Sequence, residues 1–490
     1  MKRFLIILLS LLFSLALLAS CDFGAADDSP DDPCAHADGN GDKLCDACGE
    51  NMEEDIAGDS GSGGGGDNGT DTNPDDDQKD DDDMNGDIKD EFITSVTITN
   101  GYGGANGIVV LMTDNDSGAF DTIERLDKLY AKYGLVGGIG MVAKNLYSDS
   151  DYTVPKENDV ALWQEFLDTG RWSVICHSLT HGRHGSETED GTGFIIDKEK
   201  VFSEVVTSAE LLRELFPDER VATYVPPGAG SAINNHDPSY RDYERELVRK
   251  YYIGARFTYA GAQDFEDLDF HSLPFTLLST GNLSNILSNI DKCASEGKYY
   301  MVYNHYVIED ELIDTVNQSS WTTLSAAEAL CKRVSGYVQS GKIWNAQLED
   351  AVMYMRERDT ASVQASYKDG AVYITLQDEL DDEIFYHPLT LEVKVPEEWE
   401  AVKIVQGDRV SYAKVNFKPA FGGDSYVALC DIVPNGIEAT VTPCSLDDIP
   451  KEEATTPAPT PSITPDSDST GGEVAPPSNK DSDVDDGAWI

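Results

Sequence analysis

Residues 92 to 360 change period again and again, short β-branched runs giving way to amphipathic stretches of helical spacing. A chain patterned in this way builds repeated βα units, with a parallel sheet buried beneath helices. The pattern predicts strands over Gly107 to Thr113, Leu135 to Val142, Trp172 to Cys176, Arg220 to Val225, Tyr252 to Arg256 and Lys298 to Asn304. Helices are expected over Phe120 to Ala131, Val160 to Leu167, Asp197 to Phe216, Tyr240 to Lys250, Asn285 to Ser295 and Thr323 to Ser340. Asp197 is the expected N-cap of the longest. Units of this number and length suit a (β/α) barrel, whose site lies at the C-terminal ends of its strands.

The flanking segments follow other rules. From 361 to 446 apolar residues alternate with period two, as in Ala371 to Leu376 and Thr390 to Val395, which predicts a small antiparallel β-sandwich. Within it Trp399 and Tyr412 read as core residues sooner than as sugar-stacking ones, and Cys430 and Cys444 are candidates for a disulfide. Residues 447 to 490, rich in Pro, Thr, Ser and Asp, are expected to be disordered.

At the other end, Lys2 and Arg3 precede an apolar run from Phe4 to Leu18, so residues 1 to 20 read as a signal peptide. The run closes on Leu18-Ala19-Ser20-Cys21, similar to the lipobox of bacterial lipoproteins. Cys21 would then carry lipid, and the expected location is outside the inner or cytoplasmic membrane, anchored at the cell envelope. Residues 21 to 91 read as an acidic, Gly-rich tether. Its Asp runs supply much of the formal net charge of -54, which argues against nucleic acid as a partner because phosphates call for Lys and Arg. One island in the tether, residues 34 to 48, offers three readings: a zinc set of Cys34, His36, Cys45 and Cys48, a calcium loop built on Asp38, Asn40 and Asp42, or a disulfide-stapled knob.

Three polar groups fall directly after predicted strands, where a barrel gathers them at one mouth. Thr113-Asp114-Asn115-Asp116 supplies carboxylates for proton transfer or for a hard metal. His177-Ser178-Leu179-Thr180-His181 follows Val174-Ile175-Cys176, with His184 close behind. Histidines four apart share a face of a helical turn and grip one divalent cation. His305, after Tyr300 to Asn304, is placed to donate a proton.

With these motifs in order, residues about 105 to 360 resemble the polysaccharide deacetylase, or NodB-homology, family of carbohydrate esterases. That family has an Asp-Asp motif after its first strand, an H-[ST]-x-x-H motif, a Pro-rich motif and a late Leu-x-His motif. His177 to His181 meets the second in full, Tyr224-Val225-Pro226-Pro227-Gly228 approximates the third, and His305 fits the last. Glu204, Ser208 and Leu212 before the Pro-rich strand, and the ending from Ile343 to Arg358, are similar to many secreted members. The resemblance implies a distorted barrel of the polysaccharide deacetylase type followed by an all-β domain. It implies a divalent metal, commonly zinc, held by His177, His181 and either Asn115 or Asp116. Asp114 would be the base, His305 the acid, and a backbone N–H near Pro227 or Gly228 an oxyanion donor. The implied substrate is an acetylated polysaccharide, with N-deacetylation favoured. An O-acetyl esterase and a degenerate glycan-binding lipoprotein are the alternatives, the latter suggested by Asn115 where the family has its metal-binding Asp. The arginine that often precedes the Pro-rich motif is absent, with Tyr224 and Val225 in its place, and no clear D-x-x-D-W motif is present.

Overall fold

The computed structural model describes residues 93–115, 120–182, 184–187, 194–228, 238–316, 321–419 and 425–450. All fall in one compact unit, Asp90–Ile490. Cys21, the Cys34 to Cys48 island and Asp116 lie outside the described residues. Among the described residues no helix is long and apolar enough to cross a membrane.

Seven parallel strands pair in chain order: β1 Gly107–Asn115, β2 Gly137–Met141, β3 Trp172–Cys176, β4 Thr223–Tyr224, β5 Gly254–Tyr259, β6 Leu273–Leu277 and β7 Tyr299–Asn304. β7 returns to β1, in register from Tyr299 opposite Ile108 to Asn304 opposite Thr113, and the barrel closes. The β6 strand was not expected from sequence, and the crossover into it from β5 holds only the short 3-10 turn Phe265–Asp267. The strand expected over 220 to 225 shrinks to two residues. After the barrel, Ile343–Ala346 pairs with the lower half of β1, from Gly107 to Val110, while β2 pairs with its upper half, from Met112 to Asn115.

Alternation along β1 splits its side chains between two cores. Val109 and Leu111 pack under the outer helices, whereas Ile108, Val110 and Met112 point into the barrel with Phe275, Met301 and Tyr303. Asp114 continues the inward series. The helix Leu348–Thr360 sends Leu348, Ala351, Val352 and Met355 into that same interior core and Tyr354 into the core of the β-domain. The outer helices form where expected; Asp197 caps Lys198–Phe202 by accepting from the Lys200 N–H at 3.2 Å.

The β-domain is an antiparallel sheet in which Arg409–Lys418 pairs with Ala401–Gln406 along its first half and with Ser425–Ile432 along its second, folding the sheet over one core. Val96–Ile98, assigned by the sequence pattern to the barrel unit, instead forms an edge strand here against Leu389–Val395. Trp399 is a core residue. The candidate disulfide is not formed: Cys430, opposite Leu391, and Cys444, opposite Ala401, sit in different parts of the sheet as free thiols.

One buried group in this junction gives a test. The Glu357 carboxylate is buried, and the His387 backbone N–H beside it only partly offsets that burial. Burial first, and the Asp378 carboxylate next, push its carboxyl up to about 9. An acid raised in this way stabilises the fold below its unfolded value, near 4.5, and the contribution is lost as pH climbs toward 9. Glu357→Gln, which does not titrate, is expected to gain stability over wild type steadily across that window in thermal unfolding. A difference that stays flat with pH contradicts this assignment.

Candidate active site at the barrel mouth

The inward parity of β1 delivers Asp114 to the mouth, and the strand runs on to Asn115 in register with Met141. The register is regular through Asn115, and residues 116–119 lie outside the described residues. The Asp114 carboxylate is clamped by Arg256 of β5, which donates from Nη1 to Oδ1 at 2.9 Å and from Nη2 to Oδ2 at 2.6 Å. Both side chains are 3% exposed or less. Arg256 lies over the rings of Tyr303 at 4.1 Å and Phe275 at 4.7 Å. Burial alone would raise the Asp114 carboxyl; Arg256, then His177 and His305, reverse this and hold it below the usual carboxylate range. Asp114 is therefore ionised at neutral pH. Sequence reasoning missed Arg256, although a lone arginine inside the run Gly254 to Tyr259 was the available signal.

His305 is the first residue past β7. Asn304 Nδ2 donates to Thr113 Oγ1 at 3.1 Å, and Thr113 Oγ1 donates to the Asn304 carbonyl at 3.1 Å, tying the exits of β1 and β7 together. This sets His305 Nε2 at 3.8 Å from Asp114 Oδ2, with the imidazole 25% exposed. A small depression beside them is lined by Thr113, Asp114, Asn115, Thr122, His305 and Tyr306.

His177 follows β3 and its N–H donates to the Met141 carbonyl at 2.9 Å. Its Nδ1–H donates to the Val225 carbonyl at 2.7 Å, since that oxygen can only accept. In the neutral tautomer this leaves the lone pair on Nε2, the arrangement that a carbonyl accepting from the other ring nitrogen imposes on metal-binding histidines. Gly140 of β2 lets Asp114 and His177 converge: a Cβ there would stand 3.2 Å from Asp114 Oδ1 and 3.5 Å from His177 Cβ.

His181 lies with its ring centroid 5.0 Å from that of His177. The expected helical turn is not what joins them. Ser178 and His181 have φ of 70° and 60°, left-handed values that side chains resist, so a strained loop makes the juxtaposition. The loop is pinned throughout: Ser178 Oγ accepts from the His181 N–H, and Ala143 and Lys144 donate N–H groups to the Ser178 and Leu179 carbonyls. Lys144 Nζ holds the Thr180 carbonyl. Buried Glu204 takes the Thr180 N–H at 2.8 Å, the Thr180 hydroxyl, and His184 Nε2 at 2.5 Å. His184 is thus paired with Glu204. Glu204 stands on a π-helical turn, Ser203–Thr207, whose extra residue re-aims the side chains of its helix.

Two imidazoles fit a borderline divalent cation such as zinc. Among the described residues no group of three or more His, Cys, Asp or Glu stands ready to hold a metal ion; Asn115 lines the cleft beside Asp114, and Asp116 lies outside the described residues. Pro227 and Gly228 form the turn after Val225, with Gly228 at φ 58°. Proline has no N–H, which leaves Gly228 as the candidate donor.

Removing Glu204 tests whether the loop is held for binding. Glu204→Ala is expected to weaken divalent-metal affinity by about 10–100-fold, read by metal titration. Unchanged affinity would reduce Glu204 to a packing role.

A barrel followed by an all-β domain is the fold class that the sequence resemblance implies. No protein-family profile matches the chain. A gellan lyase from a Bacillus species is 22% identical over 259 residues, which make up 49% of this chain and 10% of the lyase. The chain therefore spans about a tenth of that curated relative. Similar solved structures include a family 4 carbohydrate esterase from Streptomyces lividans in complex with acetate, 13% identical, covering 49% of this chain and 93% of that one with a TM-score of 0.28. A Streptococcus mutans CE4 esterase is 12% identical over 49% of this chain and 86% of its own, with a TM-score of 0.31.

Proposed function

We propose that this chain is a metal-dependent hydrolase that removes acetyl groups from an extracellular or cell-envelope polysaccharide, N-acetyl groups above all. The observation that carries the reading is the opposed pair of proton-transfer groups, Asp114 and His305, 3.8 Å apart on one cleft with His177 and His181 at the same mouth. His177, His181 and Asn115 or Asp116 would hold the cation, which when bound supplies Lewis acidity to the acetyl carbonyl and lowers the pKa of water. Asp114, kept ionised by Arg256, accepts the proton of the attacking water. His305 donates a proton to the departing amine, which leaves poorly until it is protonated, and this favours N-acetyl over O-acetyl substrates. The Gly228 N–H stabilises the developing oxyanion.

In the same proposal, lipid on Cys21 anchors the protein at the envelope, and residues 21 to 91 give the folded part reach. The neutral Asn115 supports a second reading, a degenerate barrel that binds glycan without cleaving it. Acetate release from chitooligosaccharides and from acetylated xylan separates these readings and ranks the two acetyl types. His305→Gln is expected to lower kcat by roughly 10²–10⁴-fold with little change in KM. Undiminished turnover in that variant removes His305 from the chemistry.

A further inference from the structure

Immediately after His305 the chain leaves the barrel and makes a small two-stranded parallel sheet, Tyr306–Ile308 against Trp321–Thr323. Its register sets Tyr306 opposite Trp321, and the two rings stack at 4.5 Å with an interplanar angle of 22°. On the inner side Tyr306 lies 6.2 Å from His305 at 29°, and His305 lies 5.3 Å from Tyr303. Tyr303 joins Tyr259 through their hydroxyls, 2.6 Å apart. Tyr259 ends β5 50% exposed, with its ring on Phe275 at 4.3 Å. Aromatic rings thus run in contact from Tyr259, through Tyr303 and His305, to Tyr306 and Trp321.

Core packing explains Tyr303, which is buried, but Tyr306 and Trp321 are only half-buried and Tyr259 is half in water. Tyr306 is stacked between Trp321 and His305, so its edge and the outer face of Trp321 supply the apolar surface with polar edges on which the C–H face of a pyranose packs while its hydroxyls stay wet. Among the described residues the cleft lining holds no Lys or Arg to pair with an anionic sugar, and its one carboxylate, Asp114, is already matched by Arg256, so the lining is left suited to a neutral one.

We propose that the Tyr306–Trp321 pair is a stacking platform for a neutral pyranose next to the sugar whose acetyl group reaches Asp114 and His305, with Tyr259 bounding the opposite side. This chain therefore favours oligomeric or polymeric substrates over single acetylated sugars. The assignment of a neighbouring sugar rests on the deacetylase reading; the platform itself does not.

The test uses the full chain and its Trp321→Ala, Tyr306→Ala and Trp321→Phe variants. The first readout is the ratio of kcat/KM for N-acetylated chitohexaose to that for N-acetylglucosamine. The second is calorimetric binding of cellohexaose, which carries no acetyl group. The ratio is expected to fall roughly tenfold in each alanine variant, mainly through the KM of the hexamer, and to be kept in Trp321→Phe. Cellohexaose is expected to bind wild type and Trp321→Phe and to be lost from the alanine variants. An unchanged ratio with undiminished cellohexaose binding overturns the platform, as does wild type that binds no cellohexaose. Wild type that releases no acetate while its cellohexaose binding depends on Trp321 overturns the deacetylase reading and leaves the platform standing.

Discussion

Arg256→Met is expected to lower folding stability by about 3–5 kcal/mol at neutral pH, because it strands the Asp114 carboxylate in a site where both partners are 3% exposed or less. Methionine fills the slot between Tyr303 and Phe275 but donates nothing, so burial, the largest influence on Asp114, is then opposed only by His177 and His305 and the carboxyl rises. The signs separate wild type from variant. In wild type the lowered Asp114 carboxyl contributes stability above its unfolded value, near 3.8, and that contribution is lost as pH falls through the folded value. In the variant the raised carboxyl makes stability fall as pH rises instead. Denaturant unfolding at pH 4.5, 6 and 8 reads the fall in the variant against a wild type whose Asp114 contribution is complete across that range. Equal slopes with pH would show that Arg256 does not control Asp114. Activity should fall as well, since a misplaced or protonated base costs on the order of 10²-fold or more.

Asp114→Asn isolates the proton-transfer role from the metal site. Asparagine keeps the shape and accepts from one Arg256 N–H with its single oxygen, although its amide N–H then faces the second donor; it cannot take a proton. The expected result is a kcat lower by about 10²–10⁴-fold with bound metal and KM close to wild type. A variant that also loses its metal would place Asp114 among the ligands, and one with full activity would remove it from the mechanism.

The residues that carry these predictions differ in how far the sequence announces them. Asp114 closes an apolar strand, His177 and His305 follow theirs directly, and strand polarity alone then gathers them at one end of a parallel barrel. Arg256 sits inside a strand, where an arginine ordinarily marks a solvated face; only closure of the barrel reveals that it points at Asp114. The sixth strand was hidden by Pro274, which lacks an N–H for the ladder. The pairing of β5 with β6 is indeed irregular there, shifting between Arg256 and Thr258. The spacing of His177 and His181 suggested a helical turn because left-handed backbone at Ser178 and His181 is not written in those residue types. Glu204 carried a family-like pattern but no visible purpose, since its partners Thr180 and His184 lie twenty or more residues away. The disulfide candidate failed because shared membership of a β-domain says nothing of register.

The central claim is that the His177 and His181 pair binds a divalent cation needed for acetate release at Asp114 and His305. Its most direct measurement is elemental analysis of the purified protein and of His181→Ala, coupled to acetate release from chitooligosaccharides before and after chelation. The account predicts stoichiometric metal in wild type, little in His181→Ala, and acetate release that disappears with the metal and returns on its addition. Acetate release that proceeds equally without metal, or metal-loaded wild type silent on every acetylated glycan, would contradict it.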